Sequence, residues 1–491
     1  SAPVLTLVPT SAPPVTSSPL PVTKAAPSAT QTIPLPTPTL APTALEASPT
    51  PDAPRAMPTL RTEVESYLVQ PGDTLGKIAQ RFQVSLKQLI TANDSVNPDL
   101  LYVGTLLTIP VPNPDAVGPA FKVIPDSELV YGPAAADFNI DQYVQARGGY
   151  LSTYTEKVDD IPTSGAQVIS RIAHEYSVNP RLLLAVLEYQ SHWVTVSNPA
   201  QETRDFPMRL QDGARQGLYR QLAWTADTLS AGYYLWKVNG VSVWMLADGT
   251  VAPISATINP GTAAVQNLFA SLYDDAGWRR AVGPEGLYAT YTYLFGSPFA
   301  FTVEPLLPPD LQQPALQLPF EAGDSWSFTG GPHGGWTTGT GWAALDFAPP
   351  GDALGCFTSY AWEVAMADGL IVRSDQGAVV QDLDGDGNEQ TGWTILYMHI
   401  ASEGRVSTGT YLKAGERIGH ASCEGGYSTG THTHVARRYN GEWIPADGPI
   451  PFNMDGWVSK GTGIEYDGYL IRNEQSIYAW NGRTEANQIW R

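Results

Sequence analysis

The stretch YSTGTHTHVARR, Tyr427 to Arg438, sets His432 and His434 one residue apart behind a Gly/Thr-rich approach, in a chain with only seven histidines. In an extended strand, side chains alternate faces with period two. The two imidazoles therefore project together, while Thr433 and Val435 face the other way. Packing explains such a pair poorly. A metal site explains it better, provided a further histidine or carboxylate arrives from elsewhere in the chain. The residues available for that are His333 in GGPHGGW, Asp346 in WAALDFAP, His399 in TILYMHI and His420 in RIGHAS. TILYMHI reads as another strand, which puts Ile395, Tyr397 and His399 on one face.

Taken in order, GPHGG, ALDFAP, ILYMHI, KAGERIGH and STGTHTHVA resemble the lysostaphin/LytM-like zinc endopeptidases over roughly residues 320–450. The resemblance implies an early histidine, an aspartate and the second histidine of the His-x-His as zinc ligands. Carried over, these are His333, Asp346 and His434. It implies His432 and His399 as the catalytic pair and leaves His420 structural. His333 and Asp346 are 13 residues apart (346 − 333). That interval is longer than in lysostaphin and is similar to the β-lytic (staphylolysin) branch, with its Gly/Ser-rich loop there. Val435 stands where the family usually has phenylalanine. The chemistry is coherent without the name. Two neutral imidazoles and a carboxylate leave one position open for water, and zinc brings the pKa of such a water to ~7. His432 and His399 are then expected to take the proton and to stabilise the developing oxyanion.

Two other clusters could carry chemistry. DLDGDG, with Asp382, Asp384 and Asp386, has the first half of a calcium loop, but the twelfth residue counted from Asp382 is Trp393 rather than glutamate. It is either a calcium site or an acidic solvated hairpin. The only cysteines, Cys356 and Cys423, read as a disulfide in preference to two buried thiols, because the chain otherwise looks exported. In the chain-entropy model a loop of that size contributes ~4 kcal/mol.

These residues must be positioned by a multidomain chain. Residues 1–64 hold no aromatic, glycine or cysteine, and fifteen of the 42 prolines fall by residue 58. Such a segment buries too little apolar surface to order itself, and a disordered Pro/Ser/Thr-rich spacer is expected. From Tyr67 a βααβ unit follows, over 65–111. Its PGDTL, IAQRF, VSLKQL, AN and VGTLLTIP resemble the LysM module, which implies binding of N-acetylglucosamine glycans by Gly72, Asp73, Thr74 and Asn97. Ser85 to Gln88 is a capping box. Residues 112–136 read as a Pro-rich linker and 137–300 as a mainly helical domain. In the latter, Asn179 and Pro180 open an apolar helix, with longer amphipathic stretches at 214–237 and 262–276. SVNPRLLLAVLEYQSHW resembles the start of a lysozyme-like transglycosylase. There the catalytic glutamate falls on Gln190, whose amide has no proton to release. Glu188 lies roughly 200° round the helix from that position. A catalytically inactive domain is expected, with Trp193 or Trp224 as stacking surfaces for glycan. Residues 317–460 read as the antiparallel β peptidase domain, and 461–491 as a β extension without an assigned role.

Forty-eight acidic against 28 basic residues give a net charge of −20, which argues against nucleic acid as a partner. No apolar run reaches ~18–20 residues, so no transmembrane segment is expected. The reading is a secreted, cell-wall peptidoglycan hydrolase: a zinc endopeptidase cutting peptide stems or cross-bridges, held on glycan by its LysM module. The alternatives are a non-catalytic cell-wall-binding or hydrolase-regulating protein and, from another class, a glycosidase acting through the middle domain.

Overall fold

The computed structural model describes residues 61–98, 100–113, 117–351 and 353–491. The expected spacer therefore lies almost wholly outside the described residues. In the N-terminal module, Glu65–Leu68 pairs antiparallel with Leu106–Ile109, and helices Leu75–Arg81 and Leu86–Ala92 lie between them in sequence. Leu75, Ile78, Ala79, Leu89, Leu107 and Ile109 form its small core. Both helix starts are capped as their sequences dictate. Thr74 accepts from Lys77 N, and Ser85 and Gln88 form a reciprocal box. The buried Asn93 ties helix to strand, donating to Leu89 O and Thr108 O and accepting from Thr108 N.

Among the described residues, seven α-helices build the central body: Ile140–Arg147, Gly165–Tyr176, Pro180–Ser191, Leu218–Lys237, Pro260–Ala270, Asp275–Ala281 and Leu287–Phe295. Pro180–Ser191 is its axis. Asn179 accepts from Arg181 N, Pro180 occupies the first turn, and Leu182, Leu183, Leu184 and Leu187 are fully buried, each contributing ~1.5–3 kcal/mol. Three expectations change here. Residues 112–136 are not a free linker in their second half, since Val123, Ile124 and Leu129 are buried in the same core. Trp193 is fully buried and offers no surface for stacking. Glu188 is bound into its own turn, accepting from Val194 N, Thr195 N and Thr195 Oγ1, while Gln190 is buried with its amide donating to Met208 O.

The C-terminal region is built on one long antiparallel sheet. Its order is Tyr411–Leu412, Gly369–Asp375, Ala378–Asp382, Trp393–Met398, Thr433–Tyr439, Ala344–Ala348, Ser325–His333 and Gln488–Trp490. Period-two alternation divides it. Leu345, Phe347, Val379, Ile395, Tyr397 and Val435 point into one core, shared with Phe452, Trp457 and Leu470. Ala344, Val380, Leu396, Met398 and Ala436 point the other way, into the core of the helical body. The helices and the sheet are thus one continuous apolar interior. Residues 461–491 are no appendage either. Gly468–Arg472 and Gln475–Tyr478 continue a four-stranded sheet from Asn453–Met454 and Trp457–Gly461, and Gln488–Trp490 forms the edge of the main sheet.

Candidate metal centre

The sheet brings three residues of the sequence expectation together. His434 lies directly opposite Asp346 on the neighbouring strand, so both side chains leave the same face. His333 joins them because its strand bulges. The register slips between Phe328 and Gly330 and again between Gly330 and His333. Gly330 is required at this point: a Cβ there would come within 2.6 Å of Asp346 Oδ2. His333 Nε2 is 3.0 Å from His434 Nδ1 and 3.2 Å from Asp346 Oδ1, and His434 Nδ1 is 3.3 Å from that same oxygen. All three residues are buried.

The protonation pattern follows from the outer contacts. His333 Nδ1 is 2.7 Å from Gly331 O, and His434 Nε2 is 3.0 Å from Gly335 O. A carbonyl only accepts, so these ring nitrogens carry hydrogens, and in the neutral ring the inward nitrogen then presents a lone pair. Among the described residues, Asp346 Oδ1 has no hydrogen-bond partner. Three acceptors therefore converge with no donor among them, an arrangement that calls for a cation. Their spacing suits one: ligands at 2.0–2.1 Å from a tetrahedral zinc stand about 3.3 Å from one another. Burial opposes a charge on Asp346, yet the His333 and His432 rings outweigh it and hold its carboxyl well below the usual range. Burial likewise opposes a charge on His333, but the Asp346 carboxylate raises its pKa, whereas burial lowers that of His434.

His432 and His399 stand beside this centre. Their ring centroids are 4.5 Å apart, and His432 Nε2 lies 3.7 Å from Asp346 Oδ1. His432 Nδ1 is 2.8 Å from Gly430 O, and His399 Nδ1 is 3.0 Å from Glu424 O, so each turns Nε2 away from its carbonyl anchor. Burial first, then His432 and His434, lower His399 to about 3. Strand alternation alone misplaces His399. Ile395 and Tyr397 are in the opposite core, and His399 reaches the centre because the strand ends at Met398 and the residue takes a left-handed φ of 68°. His420 is elsewhere, its ring 3.7 Å from that of Trp362.

The centre opens on a cleft of about 1570 Å³. Leu354 and Tyr427, each about nine-tenths exposed, stand on its rim on loops that the Cys356–Cys423 disulfide joins. Sequence reasoning missed Tyr466, whose ring stacks on His333 at 4.2 Å and 19°. Its backbone is paired to the His333 strand through Gly331 N to Tyr466 O and Tyr466 N to Pro332 O. No local pattern marks it. The acidic loop differs. Asp382 accepts from the backbone N–H groups of Asp384, Gly385 and Gly387, and Asp386 from Asn388 N and Thr391 Oγ1. Asp382 and Asp386 are engaged by the loop's own donors, and calcium is unsupported. In the N-terminal module, Gly72 makes the turn at φ 85° and Asp73 accepts from Tyr67 Oη and Gln70 N. Thr74 caps the first helix, and Asn97 is exposed after the second.

Comparison with known proteins agrees with this division. Residues 67–110 match the LysM domain family, and residues 122–309 match the family described as LasA, N-terminal domain. Protease LasA of Pseudomonas aeruginosa is 27% identical over 351 residues, 66% of this chain and 75% of its own. The chain joins a LysM module to a LasA-like peptidase region. Beta-lytic metalloendopeptidase of Lysobacter enzymogenes is 28% identical over 176 residues, 33% of this chain and 90% of its own. Among solved structures, the deep-sea metalloprotease pseudoalterin aligns with 36% of the chain and 99% of its own length, at 23% identity and a TM-score of 0.29. The LasA N-terminal match covers the span in which a lysozyme-like domain was expected, and that expectation gains no support. No helix among the described residues is long and apolar enough to cross a membrane.

Proposed function

We propose that the LasA-like region is a zinc endopeptidase that cleaves the peptide part of peptidoglycan, and that the LysM module holds it on the glycan. The observation that carries this reading is the convergence of three acceptor atoms, from His333, Asp346 and His434, at 3.0–3.3 Å with no donor between them. These residues would hold the metal. Bound there, zinc supplies a Lewis acid for a peptide carbonyl and makes hydroxide available near pH ~7.

The chain's own residues supply the rest. Gly331 O and Gly335 O orient the two imidazoles and keep their inner nitrogens unprotonated. Asp346 would contribute a carboxylate whose Oδ1 is left without a hydrogen-bond partner among the described residues. His432 and His399, each anchored through Nδ1 to a carbonyl, offer a free Nε2 lone pair to a water beside them. That is the state needed to accept its proton and return it to the leaving amine. Binding of the LysM module to an N-acetylglucosamine polymer raises the local concentration of the peptidase, an effect a chain of net charge −20 cannot obtain from charge alone. The Cys356–Cys423 bridge supports action in an oxidising, extracellular compartment.

Digestion of defined peptidoglycan, with mass spectrometry of the products and metal analysis of the protein, tests this. New amino termini in the stems or cross-bridges and one zinc per chain are expected. Intact peptides after prolonged digestion, or a purified protein without zinc, would sink it.

A further inference from the structure

The C-terminal strands carry a surface that the proposed reaction does not use. In their four-stranded sheet, Trp457, Ser459, Leu470 and Ile477 are buried. Alternation therefore turns Val458, Lys460, Tyr469, Ile471, Ser476 and Tyr478 to the opposite face. Register sets three of these in one row across the strands, Lys460 opposite Tyr469 and Tyr469 opposite Tyr478. The two tyrosine rings touch, with centroids 5.1 Å apart. Trp480 comes next on the same side, beyond the buried Ala479, and is 56% exposed with the helical body in place.

This row is held rigidly and starts at the cleft. Trp480 N donates to Phe328 O, and the buried Asn487 amide donates to Phe328 O and Gly482 O. The indole lies along Gly482, where a Cβ would come 3.6 Å from its Cδ1 and Nε1. Gly482 lines the cleft together with Asn481 and Arg483, and so does Tyr466, which precedes Gly468–Arg472. Both ends of the hairpin made by Gly468–Arg472 and Gln475–Tyr478 thus open on the cleft, and the aromatic row continues outward from it.

The face mixes ring surfaces with polar ends, namely the Lys460 ammonium, the Ser476 hydroxyl and the tyrosine hydroxyls. A pyranose has the matching build, an apolar C–H face with a rim of hydroxyl and acetamido groups. Tyrosine and tryptophan suit such a ligand because each offers an apolar ring with a polar tip. A neutral sugar is also a partner that a net charge of −20 does not repel. The cleft points to its source. A stem peptide is covalently joined to a glycan strand, so a stem bound among the histidines brings its strand out along the cleft wall.

We infer that the outer face of this hairpin is a saccharide-binding surface of the peptidase region, on which Trp480, Tyr478 and Tyr469 pack against N-acetylated sugars of the strand whose stem lies in the cleft. The inference rests on the proposed endopeptidase reading for the identity of the strand, and it draws on no residue of the helical body. It adds a contact separate from the LysM module at residues 67–110. Rings already fixed by the fold lose little freedom on binding, which favours affinity.

The test is tryptophan fluorescence of the full chain during titration with a soluble N-acetylglucosamine hexamer. Residues 67–110 contain no tryptophan, so the LysM module supplies no emission of its own. A saturable change is expected in the wild type and its loss in Trp480→Phe. Tyr478→Ala and Tyr469→Ala, which keep Trp480 as reporter, should each raise Kd about fivefold, and Tyr478→Phe should stay near the wild type. The circular dichroism spectrum reports whether each variant is intact. No saturable change in the wild type, a change that survives Trp480→Phe, or a Kd indifferent to both alanine variants would overturn the inference. The readout is independent of cleavage. A wild type that shows the change but cuts no stem peptide would overturn the endopeptidase reading and leave the saccharide surface standing, and one that cuts without the change would do the reverse.

Discussion

Two three-residue clusters in this molecule look alike on paper and differ in what surrounds them. His333, Asp346 and His434 converge under the helical body, with their outer nitrogens tied to Gly331 O and Gly335 O and Asp346 Oδ1 unpartnered. Asp382, Asp384 and Asp386 also bring ligand atoms close together. Their loop, however, turns its own N–H groups toward them, three onto Asp382 alone. The first cluster leaves its inward acceptors facing one another, and in the second the loop's N–H groups engage Asp382, although Asp384 still faces it. Proximity of ligand-type residues is thus a weak sign of a metal site, and imidazoles whose outer nitrogens are tied to carbonyls are a stronger one.

The largest effect that could break this contrast is in the first cluster. His434→Ala should lose zinc and activity together, measured by metal analysis and stem-peptide cleavage; retention of both would remove the distinction. His432→Ala should keep zinc and lose turnover by roughly 10²–10⁴-fold, as expected for a proton-handling group that holds no metal. Loss of zinc in that variant would move His432 into the ligand set.

A smaller effect lies beneath the His-x-His strand. Glu363 is fully buried, accepts from Thr433 Oγ1 between the two histidines, and burial raises its pKa well above the usual range. Folded, it holds a proton that the unfolded chain releases above pH ~4.3, so its contribution to stability falls as pH rises through that region. Glu363→Gln does not titrate. It should therefore be at least as stable as the wild type at pH 7, with the advantage vanishing near pH 4 in denaturant melts. Glu363→Ala should cost about 1–3 kcal/mol at either pH by leaving Thr433 without its acceptor. A Gln variant weaker at pH 7 than at pH 4, relative to wild type, would show that the carboxylate is charged.

The smallest effect is expected in the acidic loop. Burial and the neighbouring Asp382 push Asp384 up to about 6. Stability from this group is lost as pH rises from its unfolded value of ~3.9 toward 6. Asp384→Asn should gain no more than roughly 0.5 kcal/mol at pH 7, the scale of exposed substitutions. Zinc content should not change. A rise of several degrees in melting temperature when calcium is added to the wild type would give the two clusters equal standing after all.

Local patterns were legible where the physics is local. The caps at Ser85 and Asn179, the apolar run Leu182 to Leu187 and the shared face of His432 and His434 all follow from neighbours within a few residues. Reading failed where distant segments close on one another. The second half of 112–136 is buried by helices far along the chain, Trp193 is covered rather than displayed, and His399 turns on a positive φ that strand periodicity does not foresee.

The sequence by itself determined the donor chemistry: which imidazoles and carboxylates exist, that two of them leave one strand face, and that two cysteines were available to bridge. Those properties depend on residue type and on backbone period. Only the tertiary structure decided which acceptors meet. Asp346 reaches His434 across 88 residues (434 − 346) through strand register, and His333 joins them through a bulge that no spacing rule locates. It also decided that Tyr466 stacks on His333 and that a helix beginning at Leu218 walls the cleft. Those contacts come from packing two faces of one sheet at once. The choice among packings is made by the whole buried interior and is written in no single segment.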